Sequence, residues 1–474
     1  MTHRGGTMLL RRFYDDKLAQ ASYMVGCQTT GEAVVVDPHR DTDVYLEAAE
    51  KEGMRIRYVT ETHIHADFLS GARQLAKRVE ATLLLSDEGG EDWRYGFAAE
   101  DGATLLRDGD KIELGKITLE AMHTPGHTPE HLSFLITDGA ASDLPMGALT
   151  GDFLFVGDVG RPDLLEKAAG VAGTMEAGAR ELWASLERFG TKPDYLQILP
   201  GHGAGSACGK ALGSVPSSTL GYEKLVNWAF QCADEDEFLQ EVLADQPEPP
   251  VYFAHMKRMN RDGPVVLERL PEPAAMAPEA LVDRLRSGAV VVDLRSRADY
   301  AEGHLPGTLN LPWGPDFTTW SGWLLPYDEP IHFVAYEAGQ ARGAARDLAM
   351  IGIDRSVGYA DEAVLDWWRG SEGPLEPIEV IDWNAAERAV DGEDAVLLDV
   401  RGQSEWDEGH VPGATHIHLG ELRDRVDELD RDRPVVLYCR SGNRSAIGAS
   451  LLQAEGFQDV RNVEGGVRAR QAVD

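Results

Sequence analysis

Thr62-His63-Ile64-His65-Ala66-Asp67-Phe68 decides how the first half of this chain is read. Alternating imidazoles and a carboxylate on one short turn are metal-ligand chemistry, and a two-metal version of the pattern continues with another histidine after the Asp. Here that place belongs to Phe68, which cannot bind a metal. Further donors follow on Gly- or Pro-marked turns: Thr124-Pro125-Gly126-His127-Thr128, Thr150-Gly151-Asp152 and Leu199-Pro200-Gly201-His202-Gly203. Their order along the chain points to a metal site. The missing donor points to one ion rather than two, and away from ordinary hydrolysis.

His63, His127 and Asp152 offer two imidazoles and one carboxylate, a set that leaves coordination positions open for substrate and O2, as in non-haem Fe(II) oxygenases. A zinc hydrolase takes more nitrogen ligands. His65, Asp67 and His202 are then expected to orient the ligands or to bond bound water. Residue chemistry alone leaves His65 open as a ligand.

The chain has 474 residues and a formal net charge of -35, spread along its length. That length suits two to four domains. The acidity sets duplex DNA and anionic membranes aside as partners. The N-terminus is too charged for a signal segment, and no apolar run approaches a membrane span. Cys27, Cys208, Cys232 and Cys439 are far apart and lack paired spacing, which argues against a disulfide framework or zinc knuckle and for a cytoplasmic location.

Three segments separate on composition, with expected domains at 1–262, 275–372 and 378–474. In the first, strands such as Ala33–Asp37 alternate with amphipathic helices such as Ser70–Arg78, and a helical region covers Tyr222–Leu243. A Pro-rich linker with Pro264, Pro271, Pro273 and Pro278 follows. Beyond it the chain repeats itself: Val291-Val292-Asp293-Leu294-Arg295 through Glu302-Gly303-His304-Leu305-Pro306-Gly307 returns 106 residues later as Leu397-Leu398-Asp399-Val400-Arg401 through Glu408-Gly409-His410-Val411-Pro412-Gly413. Each copy has the rhythm of a parallel α/β domain.

The first segment resembles the persulfide dioxygenases, the mononuclear iron branch of the metallo-β-lactamase superfamily. The resemblance lies in the 62–67 turn, Gly151-Asp152, Val156-Gly157-Asp158-Val159-Gly160-Arg161-Pro162-Asp163-Leu164, and Gly201-His202-Gly203 through Cys208-Gly209. It implies an αββα sandwich, one Fe(II) per chain held by His63, His127 and Asp152, and a low-molecular-weight thiol persulfide that is oxidised by O2 to sulfite. Arg161 is a candidate to hold the anionic substrate, and Cys208 a candidate to receive or sense sulfur.

In the last segment the apolar run Pro434–Tyr438 leads into Cys439-Arg440-Ser441-Gly442-Asn443-Arg444-Ser445 and a helix-like stretch. A Cys on a strand-loop-helix turn is ringed by backbone N–H groups, which favour a thiolate or an anionic persulfide, and Arg440 and Arg444 add positive charge. The loop resembles that of the rhodanese sulfurtransferases, whose Cys passes on sulfane sulfur. A Cys-based phosphatase lacks a recognisable general-acid Asp loop here. Aligning Gly339 with Gly442 places Tyr336 opposite Cys439, so the earlier copy reads as a silent rhodanese, with Glu337 at its mouth.

The expected protein is therefore α/β: an N-terminal metallo-β-lactamase sandwich followed by two rhodanese-like domains with parallel sheets. Its expected partners are a thiol persulfide, O2 and sulfite or thiosulfate, with sulfur transfer running in either direction. Two rival readings are a dinuclear zinc thioester hydrolase of the glyoxalase II type and a sulfur-relay protein without dioxygenase activity. Thiol carrier and oligomeric state are left open, a homo-oligomer being common at this size.

Overall fold

In a computed structural model, residues 8–163, 174–204, 209, 212–244, 246 and 250–471 are described. Two compact units result, residues 1–269 with 350–352, and residues 270–349 with 353–474.

The first unit is built on two six-stranded sheets. One runs in chain order through β1 (Met8–Asp15), β2 (Gln20–Cys27), β3 (Glu32–Val36), β4 (Arg55–Thr60), β5 (Thr82–Ser86) and β6 (Thr104–Leu106). The other comprises β7 (Lys111–Leu114), β8 (Ile117–His123), β9 (Leu132–Asp138), β10 (Gly147–Gly151), β11 (Gln197–Pro200) and β12 (Ser218–Thr219). Tyr23, Val25, Val34 and Leu84 of the first sheet share one buried cluster with Leu119, Phe134, Leu149 and Leu199 of the second. The outer face of the first sheet packs Val35, Val59 and Leu85 on Tyr45, Ala49 and Leu75 of its helices. The second sheet packs Ala148 and Ile198 on Leu182, Leu186 and Phe238. Helix, sheet, sheet, helix is the expected αββα layering. The amphipathic helix expected from Ser70 spans Ala72–Val79. The Tyr222–Leu243 region divides into Leu220–Val226, Trp228–Gln231 and Glu235–Leu243, the last two capped by the side chains of Asn227 and Asp234.

The second unit holds two all-parallel five-stranded sheets of identical order. In the first copy β13 (Ala274–Ala275), β14 (Val290–Asp293), β15 (Leu309–Asn310), β16 (Ile331–Val334) and β17 (Ser356–Ala360) are arranged 13-17-16-14-15. The second arranges β18 (Glu379–Ile381), β19 (Val396–Asp399), β20 (Thr415–His416), β21 (Val435–Tyr438) and β22 (Val460–Val463) as 18-22-21-19-20.

Strand register corrects the alignment of the two copies. Asp293 pairs with Val334 in one, and Asp399 with Tyr438 in the other. The next residues, Ala335 and Cys439, are therefore equivalent, and both are buried. Tyr336 stands one position further on and is exposed. The loop explains the slip: three residues (335–337) link strand to helix in the first copy, four (439–442) in the second. Among the described residues, no helix is long and apolar enough to cross a membrane.

Candidate functional site

Turns after β4, β8, β10 and β11 carry the residues singled out above. His63, His127 and Asp152 are all buried, and their donor atoms lie within 4.8 Å of one another. His63 Nε2 is 3.9 Å and His127 Nε2 3.7 Å from Asp152 Oδ2. The Gly201 N–H donates to Gly151 O at 2.8 Å, holding two of the turns together. Only glycine fits at 201, where a Cβ would lie 2.7 Å from Asp152 Oδ1.

Each donor is aimed by a neighbour. His63 Nδ1 bonds Thr62 Oγ1 at 2.9 Å, and that hydroxyl donates onward to Asp37 Oδ2 at 3.0 Å, which leaves His63 Nε2 facing Asp152. His127 Nδ1 donates to Arg161 O at 3.1 Å. The Asp152 N–H donates to His131 Nε2 at 3.2 Å, while His131 Nδ1 bonds Thr124 Oγ1 at 2.9 Å. Burial holds His63 well below the usual imidazole range and lowers His127 as well, so both are neutral, the form that binds a metal.

Among the described residues, neither oxygen of Asp152, nor His63 Nε2, has a hydrogen-bond partner. Buried polar atoms without partners cost on the order of 1–3 kcal/mol each. A cation held by two neutral imidazoles and one carboxylate removes that cost, so the residues fit a single metal ion.

The other expected groups take different places. His65 turns Nε2 to Asp37 Oδ1 at 3.1 Å. Burial opposes its charge, but Asp37, Glu61 and Asp67 outweigh it and raise its pKa to about 9. His202 Nε2 lies 3.2 Å from Asp67 Oδ2 and 3.4 Å from Asp152 Oδ2, bordering the donor group. Phe68 is buried with its ring 4.4 Å from that of His65. Arg161 differs from the substrate-holding role expected of it. Its guanidinium is fully buried and bonds both oxygens of Asp163 at 2.8 and 2.7 Å, so its carbonyl, aimed at His127, serves the site. Cys208 lies outside the described residues.

Four supports escaped the sequence reading. Asp37 takes a positive φ of 52° and accepts the Thr62 N–H at 2.6 Å besides the bonds above. His131 stacks on His63 with ring centroids 5.1 Å apart. Glu130 accepts the Ile64 N–H at 2.7 Å, and burial raises its carboxyl to about 7. Asn260 donates to the carbonyls of His65 and Phe68, both at 2.8 Å. An Asp closing the apolar run Val34-Val35-Val36 and a second His in the 124–131 turn were the available signals.

In the second unit Cys439 follows β21 and is 1% exposed. Its Sγ accepts the Gly442 N–H at 3.1 Å and faces Ser445 Oγ at 3.5 Å, at the start of the helix Asn443–Ala454. Gly442 has φ 88°, which turns its N–H onto the sulfur. Arg444 forms a two-pronged pair with Glu405 at 2.5 and 2.8 Å, and its charge also acts on Cys439. Arg440 is exposed. Glu405 and Ser445 were not anticipated. Cys27 lies in the sandwich core, and Cys232 packs against the outer helices with Sγ 3.5 Å from Trp228 O.

The metallo-β-lactamase superfamily model matches residues 15–202, and the rhodanese-like domain model matches 277–369 and 382–472. A crystal structure of a metallo-β-lactamase from Staphylococcus aureus subsp. aureus COL is 43% identical, with a TM-score of 0.69, and is covered over 99% of its length by 75% of this chain. The mitochondrial persulfide dioxygenase ETHE1 of Bos taurus is 29% identical over 206 residues, 42% of this chain and 70% of the relative. A β-lactamase hydrolase-like protein of Xylella fastidiosa (strain 9a5c) is 27% identical over 288 residues, 55% of this chain. The chain spans 61% of the length of that protein. With a solved relative this similar over nearly its whole length, the chain belongs to the metallo-β-lactamase superfamily and carries tandem rhodanese-like domains behind the metal-type domain.

Proposed function

We propose that this chain oxidises a low-molecular-weight thiol persulfide to sulfite at a mononuclear iron site and moves sulfane sulfur on Cys439. The observation that carries the reading is the buried group His63, His127 and Asp152, with Phe68 where a second ion would need a donor. A dinuclear zinc thioester hydrolase lacks its ligand at that position. The likeness to a relative named as a persulfide dioxygenase supports the same reading.

A bound ferrous ion would supply open positions at which O2 and the outer persulfide sulfur meet. The chain's own part is to keep both imidazoles neutral by burial, to fix their Nε2 atoms through Thr62 and the Arg161 carbonyl, and to exclude water. His202 and Asp67 border the same space and are placed to hold a proton beside it. In the second unit the Gly442 N–H and the helix start stabilise negative charge on sulfur at Cys439. Sulfite is then an acceptor for that sulfur, giving thiosulfate, and the reverse transfer uses the same residues.

The test is O2 uptake by anaerobically iron-loaded protein supplied with glutathione persulfide. Uptake is expected in the wild type, and a loss of at least ~10³-fold in Asp152→Ala, together with loss of one bound iron per chain. Iron-loaded wild type that consumes no O2 with glutathione persulfide or other thiol persulfides would overturn the reading.

A further inference from the structure

The helix Asn443–Ala454 behind the Cys439 loop is buried on every side: each residue from Ser445 to Leu452 is buried. A helix on one face of its own sheet keeps an exposed stripe. Here that stripe is covered by the silent repeat, whose Asn310 N–H donates to Ser450 Oγ at 3.0 Å, both residues being buried. The same packing brings the first residue of the helix Arg297–Glu302 against the Cys439 loop. Arg297 Nη1 donates to Asn443 Oδ1 at 2.5 Å and lies 3.3 Å from where a Cβ on Gly442 would sit. Gly442 is the residue whose N–H holds Cys439 Sγ.

Arg297 is exposed, and among the described residues no carboxylate pairs with it. Arg444, by contrast, is matched by Glu405. Arg297 also walls two cavities where the repeats meet. One, of about 270 Å³, is lined by Phe317, Trp320 and Ile447 with Asn443 and Asp316, and the other, of about 150 Å³, by Asn310, Ala446 and Glu464. At the equivalent place the active repeat has Gln403, so the cation is a contribution of the silent repeat alone.

We propose that Arg297, set against Asn443 and Gly442, is a specificity residue of the Cys439 site that binds the oxygens of sulfite or thiosulfate as they reach the loop. The inference rests on the reading of Cys439 as a sulfane-sulfur carrier. In the step it serves, the sulfite sulfur lone pair attacks the outer sulfur of the Cys439 persulfide. A new S–S bond forms, the old one breaks, and its electron pair returns to Sγ as thiolate. No net proton moves and thiosulfate leaves. A guanidinium beside the attacking dianion bonds its oxygens, and so favours its approach over that of a thiolate, which carries one charge and no such oxygens.

The experiment loads Cys439 of the full-length protein with sulfane sulfur and follows its discharge to sulfite and, separately, to dithiothreitol. Arg297→Gln is expected to raise the sulfite concentration for half-maximal rate about tenfold, leaving the maximal rate and the dithiothreitol reaction within twofold of wild type. Arg297→Lys is expected to recover most of the sulfite affinity. Equal effects on both acceptors, or none on sulfite, would overturn the inference while leaving the carrier reading intact. Failure of the wild type to discharge to any acceptor would overturn the carrier reading itself.

Discussion

The two rhodanese-like repeats have one strand order and one buried Asp-Arg pair, Asp293–Arg295 and Asp399–Arg401, each at 2.7 Å. They part at the loop that follows the central strand. In the active copy a four-residue loop with one left-handed glycine turns the Gly442 N–H onto the Cys439 sulfur. In the silent copy the loop is a residue shorter, Ala335 sits where the sulfur would be, and no residue from 335 to 339 has a positive φ. Tyr336 then covers the mouth, its hydroxyl accepting the Ser296 N–H at 3.0 Å and bonding Asp299. On the proposed reading, then, the silence of the first copy rests on its backbone as well as on the missing thiol. What the silent copy retains is the outer surface that covers the helix of its twin.

The sharpest way to break this comparison is to exchange the chemistry without the backbone. Cys439→Ala is expected to abolish sulfur transfer, a fall of ~10³-fold or more, because no other group on the loop can carry sulfane sulfur. Ala335→Cys is expected to yield a thiol that titrates with an alkylating reagent after unfolding but transfers no sulfur, since the shorter loop offers it no matching N–H. Transfer by the Cys439→Ala, Ala335→Cys double variant would show that the thiol alone, rather than the loop, decides activity.

Next in size is the glycine. At Gly442, φ 88° costs an L-residue roughly 1–2 kcal/mol, and an added Cβ would lie 3.2 Å from Gly465 N. Gly442→Ala is therefore expected to lower stability by about that amount and sulfur transfer about tenfold, as the N–H moves off the sulfur. Gly339→Ala in the silent repeat is expected to change stability by under ~0.5 kcal/mol, because Gly339 has ordinary helical backbone and an added Cβ would meet only the flexible Glu337 side chain, at 3.3 Å. Urea unfolding of both variants checks the contrast.

The fold was legible because its signals are local. Apolar runs closed by Asp and Gly-marked turns each lie within a short window, and the repeat shows because each copied motif is itself short and continuous. The buried group His63, His127 and Asp152, which could hold a metal ion, was legible for the same reason, each residue being announced by its own turn. What stayed hidden joins residues remote in sequence: Asn260 on the His65 and Phe68 carbonyls, Asp37 between Thr62 and His65, Arg297 on Asn443. The Tyr336 alignment failed for a related reason. Two glycines were matched across loops of unequal length, and only the hydrogen-bonded register of the strands distinguishes Ala335 from Tyr336.

A further effect, confined to low pH, separates the turns His304-Leu305-Pro306-Gly307 and His410-Val411-Pro412-Gly413. His304 of the silent copy is 1% exposed, stacked on Tyr300, and its Nε2 has no hydrogen-bond partner among the described residues. His410, its counterpart, is exposed and stacked on Trp406. Burial lowers His304 from the usual imidazole range to about 4. Its folded pKa lies below its unfolded one, so the unfolded chain takes up the proton first as pH falls. The stability it contributes is full above about pH 6.5 and drains away towards pH 4. One pH unit below 6.5 the loss is about 1.4 kcal/mol. Urea unfolding at pH 7.5 and 5.5 is expected to show a loss of stability about 1.4 kcal/mol smaller in His304→Gln, whose side chain cannot take the proton, than in the wild type. His410→Gln, altering the exposed turn, is expected to leave the difference as it is in the wild type. An equal flattening by both substitutions would mean that the two turns do not differ in the way their burial requires.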